Sequence, residues 1–562
     1  MSQIMIQIEH EIKEIVLKAV GQAVAEQELP AEPMPSFQIA IPNDRAHGDY
    51  AINAAMVSAK AFRLPPRKIA ECIASRLDFT GTYLSRAEIA GPGFINFFLD
   101  DRLYGEILKD IEDKKEKYGA SDYGKGETYM VEFVSANPTG PMHIGNARGG
   151  ALGDCLAAVL SFAGYTVTKE FYINDAGNQI EKFASSLNAR YLQIYKEETP
   201  FPEDGYHGGD IIARAKEFAE QNGDQYMETG EEERKAALVA YALPLNIENL
   251  RKDLLEYRVP YDVWFRESSL YESGELDQII EVLKTKGWTY EKEDALWYKA
   301  TEFGGEKDEV LIRANGNPTY FAADIAYHYN KFVKRGFQKV INIWGADHHG
   351  HVARLKGAMD ALGIDSSRLE VVIMQMVRLV QSGEVVKVSK RTGKSITLKT
   401  LQEVVPVDAS RIFFYLREPS THLEFDLDLA VEQSSQNPVY YVQYAHARIC
   451  SIVKNLENAG VVYVPCTVEQ LQLLSTSEEK ELIRHLSLLT GEIIDAARER
   501  NPALITRYAI ELATLFHKFY NACQVKGDNP ELTRARLTLC ICARTVLQNV
   551  LKIIKIDAPE SM

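Results

Sequence analysis

No apolar run in this 562-residue chain approaches the length of a membrane span, and its first residues, MSQIMIQIEHEIKEIV, carry acids where a secretory leader needs a basic start. Neither an embedded nor an exported protein is expected. Cysteine is scarce: the seven, at 72, 155, 450, 466, 523, 540 and 542, include no Cys-x-x-Cys pair. That excludes a disulfide framework and a zinc ribbon, and a reducing cytoplasm fits best. An excess of positive charge is also missing, with 63 basic against 79 acidic side chains and a net charge of −16. Indiscriminate coating of nucleic acid is therefore disfavoured, although local basic surfaces remain open.

What is present is enough for three to five structural units, with an ordinary 46% hydrophobic content. The chain is organised around Met130 to Arg148. Tyr129 to Val134 has the β-branched and aromatic content of a buried strand, and it breaks into a loop holding Asn137, Pro138, Gly140 and Pro141. From Gly145, the residues Ala147, Ala151, Leu152, Cys155, Leu156 and Val159 recur at helical spacing, and Gly164 stands where a helix would end. A helix start facing such a loop offers exposed N–H groups to phosphate, and Gly145 lets a phosphate approach the backbone. His143 and Asn146 add uncharged side-chain donors. The loop has neither a Walker lysine pattern nor Gly-x-Gly-x-x-Gly, so the P-loop and dinucleotide readings lose their support. A histidine in a Pro/Gly loop also fits an ordinary surface turn.

Val167 to Ile173 follows as a second strand, an order that builds a parallel sheet with a right-handed crossover. Asn174 to Gln179 lies at its carboxyl edge, as a ligand contact or equally a helix cap. About 195 to 290 reads as an acidic helical insertion. A helix over Thr319 to Arg335 puts Tyr320 and Asp324 on one face, which suits a cation or simple packing with a favourable dipole. The strand Lys339 to Trp344 leads to Gly345-Ala346-Asp347-His348-His349-Gly350-His351. Those histidines lack the one-face spacing of a helical metal site, and Asp347 suits ribose hydroxyls. A strand over Leu369 to Val377 then leads to a basic loop. Between Val372 and Lys399 there are six basic residues and one acid, and lysines there would stabilise polyphosphate charge. Residues 1 to about 117 form an N-terminal module. Its cues are the spacing of Ile4, Ile8, Ile12 and Ile15, a helix opened by Gly48-Asp49-Tyr50, and a strand over Phe94 to Phe98. From Asn437 the pattern is an all-helical bundle.

His143-Ile144-Gly145-Asn146 resembles the HIGH signature of class I aminoacyl-tRNA synthetases, and Lys387-Val388-Ser389-Lys390-Arg391 resembles their KMSKS signature. Ala136-Asn137-Pro138-Thr139-Gly140-Pro141-Met142 before the first signature, and the Gly345 to His351 run later, resemble the bacterial arginyl-tRNA synthetase family. Asn146, Val388 and Arg391 depart from the class pattern, but a side-chain donor and both lysines remain.

The resemblance implies an α/β, doubly wound parallel-sheet (Rossmann-like) catalytic domain over 118–400 with an insertion at about 195–290. It also implies an α+β tRNA-contacting domain over 1–117, a stem-contact connector over 401–436 and an all-α anticodon-binding bundle over 437–562. The implied reaction activates L-arginine with ATP, carried with Mg²⁺, and transfers it to tRNA(Arg). His143, Asn146, Lys387 and Lys390 would be catalytic. Gly145, Asp347 and Ser389 would bind ATP together with His143. Asn137, Glu132, Glu267, Tyr320, Asp324 and His348 would bind arginine. No structural zinc, no membrane, no editing domain and a monomer in the cytoplasm are further expectations. Two alternatives stay open. A small-molecule adenylyltransferase would not need the terminal modules, and a noncatalytic tRNA-binding paralogue should have lost Lys387, Lys390 or Asp324.

Overall fold

The computed structural model describes residues 3–42, 44, 47–386 and 396–562. Its centre is a five-stranded sheet of β1 (Thr128–Glu132), β2 (Thr166–Ile173), β3 (Val263–Arg266), β4 (Lys339–Gly345) and β5 (Leu369–Met374). The order is β5-β4-β1-β2-β3, and every neighbouring pair is parallel. Parallel strands need covered faces, and the apolar Val131, Phe171 and Ile341 are accordingly buried. The chain winds outward from β1 in one direction through β3, then returns to the other side of β1 with β4. The crevice beyond the carboxyl ends of β1 and β4 is thus the topological switch point where open α/β sheets bind ligands.

Four helices frame that edge: α1 (Ile144–Phe162), α2 (Asn178–Tyr195), α3 (Tyr320–Tyr329) and α4 (His349–Leu362). Close seating of α1 depends on Gly153, where an added Cβ would lie 2.1 Å from the Phe133 ring. The helix ends as its sequence predicts, with Gly164 at φ +93° just beyond it.

Four local expectations differ from the structure. Val263–Arg266 lies inside the stretch expected to be inserted, yet it is an edge strand paired with β2. The strand expected over Leu369 to Val377 is two strands. The Gln375 N–H donates to the Pro419 carbonyl at 2.9 Å, and the Gln375 carbonyl accepts from Arg148 Nη1 at 2.6 Å. The chain leaves the main sheet there, and Val377–Gln381 pairs with Glu384–Val385 and Leu423–Asp426. The helix begun at Tyr320 passes into a π-helical turn, Asn330–Lys334. Finally, Tyr50–Ile52 is a strand paired with Phe94–Leu99, and the helix after it starts only at Ala54.

The N-terminal part comprises the helix Gln3–Ala25, a four-stranded antiparallel sheet and two short helices. The C-terminal part is helical, its longest members being Pro438–Asn458, Ala503–Ala522 and Pro530–Ile553. Helix Arg102–Lys114 packs on this bundle, and the buried Tyr118 hydroxyl donates to the Leu486 carbonyl at 3.1 Å.

Candidate active site

The site begins where β1 ends. Val134 and Ser135 both adopt left-handed backbone, at φ +68° and +41°, which is costly for non-glycine residues and for a β-branched valine above all. Their neighbours hold the turn. The Ser135 hydroxyl donates to Glu132 Oε1 at 3.1 Å and accepts from the Tyr172 N–H at 3.2 Å.

Eight residues further on, His143 caps α1. Its Nδ1 accepts from the Gly145 N–H at 3.1 Å, while Asn146 Oδ1 accepts from the His143 N–H at 3.1 Å. This reciprocal capping has two chemical consequences. With Nδ1 accepting, the neutral imidazole carries its proton on Nε2; with Oδ1 engaged, Asn146 has its amide N–H groups to offer. Gly145 is required for the ring to fold back, since an added Cβ would stand 2.9 Å from His143 Cε1. The chain after the basic segment returns to this point. The Leu398 N–H donates to the Met142 carbonyl at 2.8 Å, and Thr397 bridges to His143. Lys387, Ser389 and Lys390 themselves lie outside the described residues.

A cavity of about 1960 Å³ opens over these groups. Ordinary small-molecule pockets hold about 300–1,000 Å³, so this one has room for more than one reactant. Asn137, Thr139, His143, Asn146 and Thr397 line it, as do Tyr172, Glu267, Tyr320 and Asp324. Asp347 and His348 line it too, and both side chains are largely exposed. The inserted segment contributes Tyr206 to Asp210.

The acidic part is built to accept hydrogen bonds. Glu267, 1% exposed, follows directly on β3. Its Oε1 accepts from the Tyr271 hydroxyl at 3.1 Å, and Asn174, with its amide turned to suit the network, donates to Oε2 at 2.8 Å while its other end meets Asn137. Burial, opposed by the Tyr271 hydrogen bond and helped by the nearby Asp324, pushes the Glu267 carboxyl up to about 7. Asp324 Oδ2 lies 2.9 Å from His351 Nε2. The Tyr320 hydroxyl accepts from the Gln179 N–H at 3.1 Å, tying α3 to the start of α2.

Glu132 is placed differently from the other expected arginine contacts. It is absent from the cavity lining and pairs, 2.5 Å away, with the fully buried Lys331 of the π-helical turn. Lys331 also reaches Asn342 Oδ1 at 3.4 Å. Nearby, Glu170 takes the Arg335 guanidinium and the Tyr327 hydroxyl, and burial keeps His328 far below its ordinary range, hence neutral. This network joins β1, β2 and β4 to α3 behind the cavity. Sequence reasoning gave no role to Tyr172, His351 or the 206–210 segment in this wall; only the position of Asn174 to Gln179 after a strand hinted at the part of Asn174 and Gln179. Among the described residues, no group of three or more His, Cys, Asp or Glu side chains is arranged to hold a metal.

Comparison with known proteins agrees with this architecture along the whole chain. Residues 7–99 match the arginyl tRNA synthetase N terminal domain, 108–413 the catalytic domain of class I (R) tRNA synthetases, and 442–562 the DALR anticodon binding domain. The chain is 55% identical over 562 residues to the arginine–tRNA ligase of Caldanaerobacter subterraneus subsp. tengcongensis, covering 100% of both. It is 52% identical to the arginine–tRNA ligase of Acetivibrio thermocellus, again over 100% of both chains. The structure of Thermus thermophilus arginyl-tRNA synthetase shares the fold at a TM-score of 0.72 and 23% identity, over 97% of this chain and 99% of that one. With this cavity at the switch point of its sheet and these matches from end to end, the chain belongs to the class I arginyl-tRNA synthetase family.

Proposed function

We propose that this chain charges tRNA(Arg) with L-arginine in two steps. The arginine carboxylate attacks the α-phosphate of ATP, the bond to pyrophosphate breaks, and arginyl-AMP forms. A hydroxyl of the terminal tRNA ribose then attacks the arginyl carbonyl, and AMP leaves. No protein nucleophile takes part, so the site works by positioning and by stabilising charge.

The observation that carries this reading is the pairing of two acceptor carboxylates, Glu267 and Asp324, with a capped helix N-terminus in one cavity. A guanidinium presents five donors and no acceptor in a planar fork, so it needs acceptors such as these two. Tyr320 and His348 complete the wall around it, and Asn137, held by Asn174, takes the α-amino or carboxylate end. Glu132 supports that end from behind through Ser135. ATP enters as its Mg²⁺ complex, a substrate rather than a fixture of the protein. His143 Nε2–H and the Asn146 amide donate to its phosphate oxygens, Gly145 leaves them room, and Asp347 holds the ribose. Lys387 and Lys390 stabilise the departing pyrophosphate, with Ser389 between them; the nearby pairing of 397–398 with 142–143 supports this assignment. The module over 1–117, the connector over 401–436 and the bundle over 437–562 serve tRNA. A monomer acting in the cytoplasm is part of the same proposal. Among the described residues, no helix is long and apolar enough to cross a membrane.

Quenched-flow measurement of AMP and charged tRNA from arginine, ATP and bacterial tRNA tests the scheme. The two products should appear in equal amounts. Adenylate formation without any charging would point instead to an adenylyltransferase.

A further inference from the structure

Along the cavity wall, four side chains from three elements stand in a hydrogen-bonded row. Glu309 starts the strand Glu309–Ile312, His351 and Arg354 lie one turn apart on α4, and Asp324 belongs to α3. Arg354 Nη1 donates to Glu309 Oε1 at 2.9 Å and Arg354 Nε donates to His351 Nδ1 at 2.6 Å. His351 Nε2 is 2.9 Å from Asp324 Oδ2. A guanidinium can only donate, so Nδ1 must accept and the ring's proton sits on Nε2, aimed at the carboxylate. The imidazole has little freedom to turn. Its side chain is 12% exposed, and its ring centroid lies 5.5 Å from that of Trp344 and 5.8 Å from that of Phe321.

We propose that His351 is a positioning residue for arginine recognition, held in its Nε2–H form by Arg354. By binding Asp324 Oδ2 it fixes the carboxylate's orientation and leaves Oδ1 as the oxygen offered to substrate. The guanidinium must then divide its donors between Asp324 Oδ1 and Glu267, which a planar fork of five N–H groups can do and a single ammonium nitrogen does less readily. This inference rests on the reading that Asp324 accepts the arginine side chain. It gives the last histidine of the 348–351 run a task unrelated to metal.

Steady-state charging by the full chain tests the proposal in four variants. His351→Phe keeps a ring between Trp344 and Phe321 but removes the donor. It should raise the arginine KM about tenfold, the scale of a hydrogen bond to a charged group, with ATP KM and kcat nearly unchanged. His351→Gln, whose amide can donate, should recover most of that loss. Asp324→Ala separates this inference from the reading beneath it. An unchanged arginine KM in Asp324→Ala would overturn both, whereas a raised KM there beside an unchanged one in His351→Phe would overturn only the role of His351. Equal losses in the Phe and Gln variants would also overturn it, because packing rather than the donated hydrogen bond would then be at work. Should His351→Phe fail to fold, Arg354→Met carries the test. It frees Nδ1 to take the proton and should raise the arginine KM severalfold, and an unchanged KM would contradict the proposal.

Discussion

Glu267 is buried near Asp324 in the wall proposed to take arginine, and burial lifts its carboxyl from the ordinary 4.5 to about 7. Between those values the native protein binds a proton that the unfolded chain has released, so this group's contribution to stability falls as pH rises from 4.5 to about 7. The buried carboxylate costs about 3 kcal/mol above that range. Glu267→Gln should therefore melt at a higher temperature than the unaltered protein at pH 8, with the gap closing at pH 4.5; equal melting at both would refute the assignment. Substrate binding shows the other side of the same charge. The guanidinium needs the ionised form, so the arginine KM should climb by up to about tenfold per pH unit below 7. In Glu267→Gln the KM should be higher and free of this pH dependence. Asp324→Ala should raise the arginine KM by about a hundredfold, because a partner carboxylate is lost, while ATP binding is kept. Parallel losses for both substrates would show that the change had disturbed the whole cavity.

The element that fixes the site is the strand-loop-helix unit of β1 and α1. Gly153→Ala would drive a methyl group into the Phe133 ring, which a rigid helix-on-sheet contact cannot absorb. A destabilisation of about 1–3 kcal/mol is expected, seen as a lower melting temperature, and an unchanged one would show that the helix can slide. This unit was legible in the sequence because its signals are local: a β-branched run, glycine and proline in the loop, and apolar residues at helical spacing. The edge strand Val263–Arg266 was not. It has four residues, too few for a period, and it acquires its strand character from pairing with β2. The break after Met374 was hidden for a related reason, since Arg148, 227 residues away, takes the Gln375 carbonyl. Glu132 shows the same limit at a single residue: Lys331, which keeps it behind the cavity, is 199 residues distant. Carboxylates near a ligand loop look alike in sequence until their partners are known.

At the scale of the whole molecule, the parts are joined by ion pairs between segments far apart in the chain. Asp49 of the N-terminal sheet pairs with Arg484 of the helical bundle at 2.8 Å, and Asp101 pairs with Lys480 at 2.7 Å. Asp154 on α1 meets Lys169 of β2 at 3.0 Å and Arg411 of helix Val407–Tyr415 at 2.8 Å. Near the C-terminus, Asp557 pairs with Arg258 at 2.7 Å, and that arginine also holds Asp408 at 2.6 Å. Arg411→Met should lower thermal stability by about 3–5 kcal/mol, because Asp154, 1% exposed, loses one of its two cations. A loss below about 1 kcal/mol would mean that Lys169 alone neutralises it. The helical character of the C-terminal part could be read from its apolar spacing, but its docking against the N-terminal sheet could not, because no local pattern marks Asp49 as the partner of Arg484. The activity of the chain as a whole is tested by one assay: transfer of labelled arginine to total bacterial tRNA with ATP and Mg²⁺, beside labelled lysine and glutamate. Charging with arginine alone is expected. Charging with another amino acid, or tRNA bound without any charging, would contradict it.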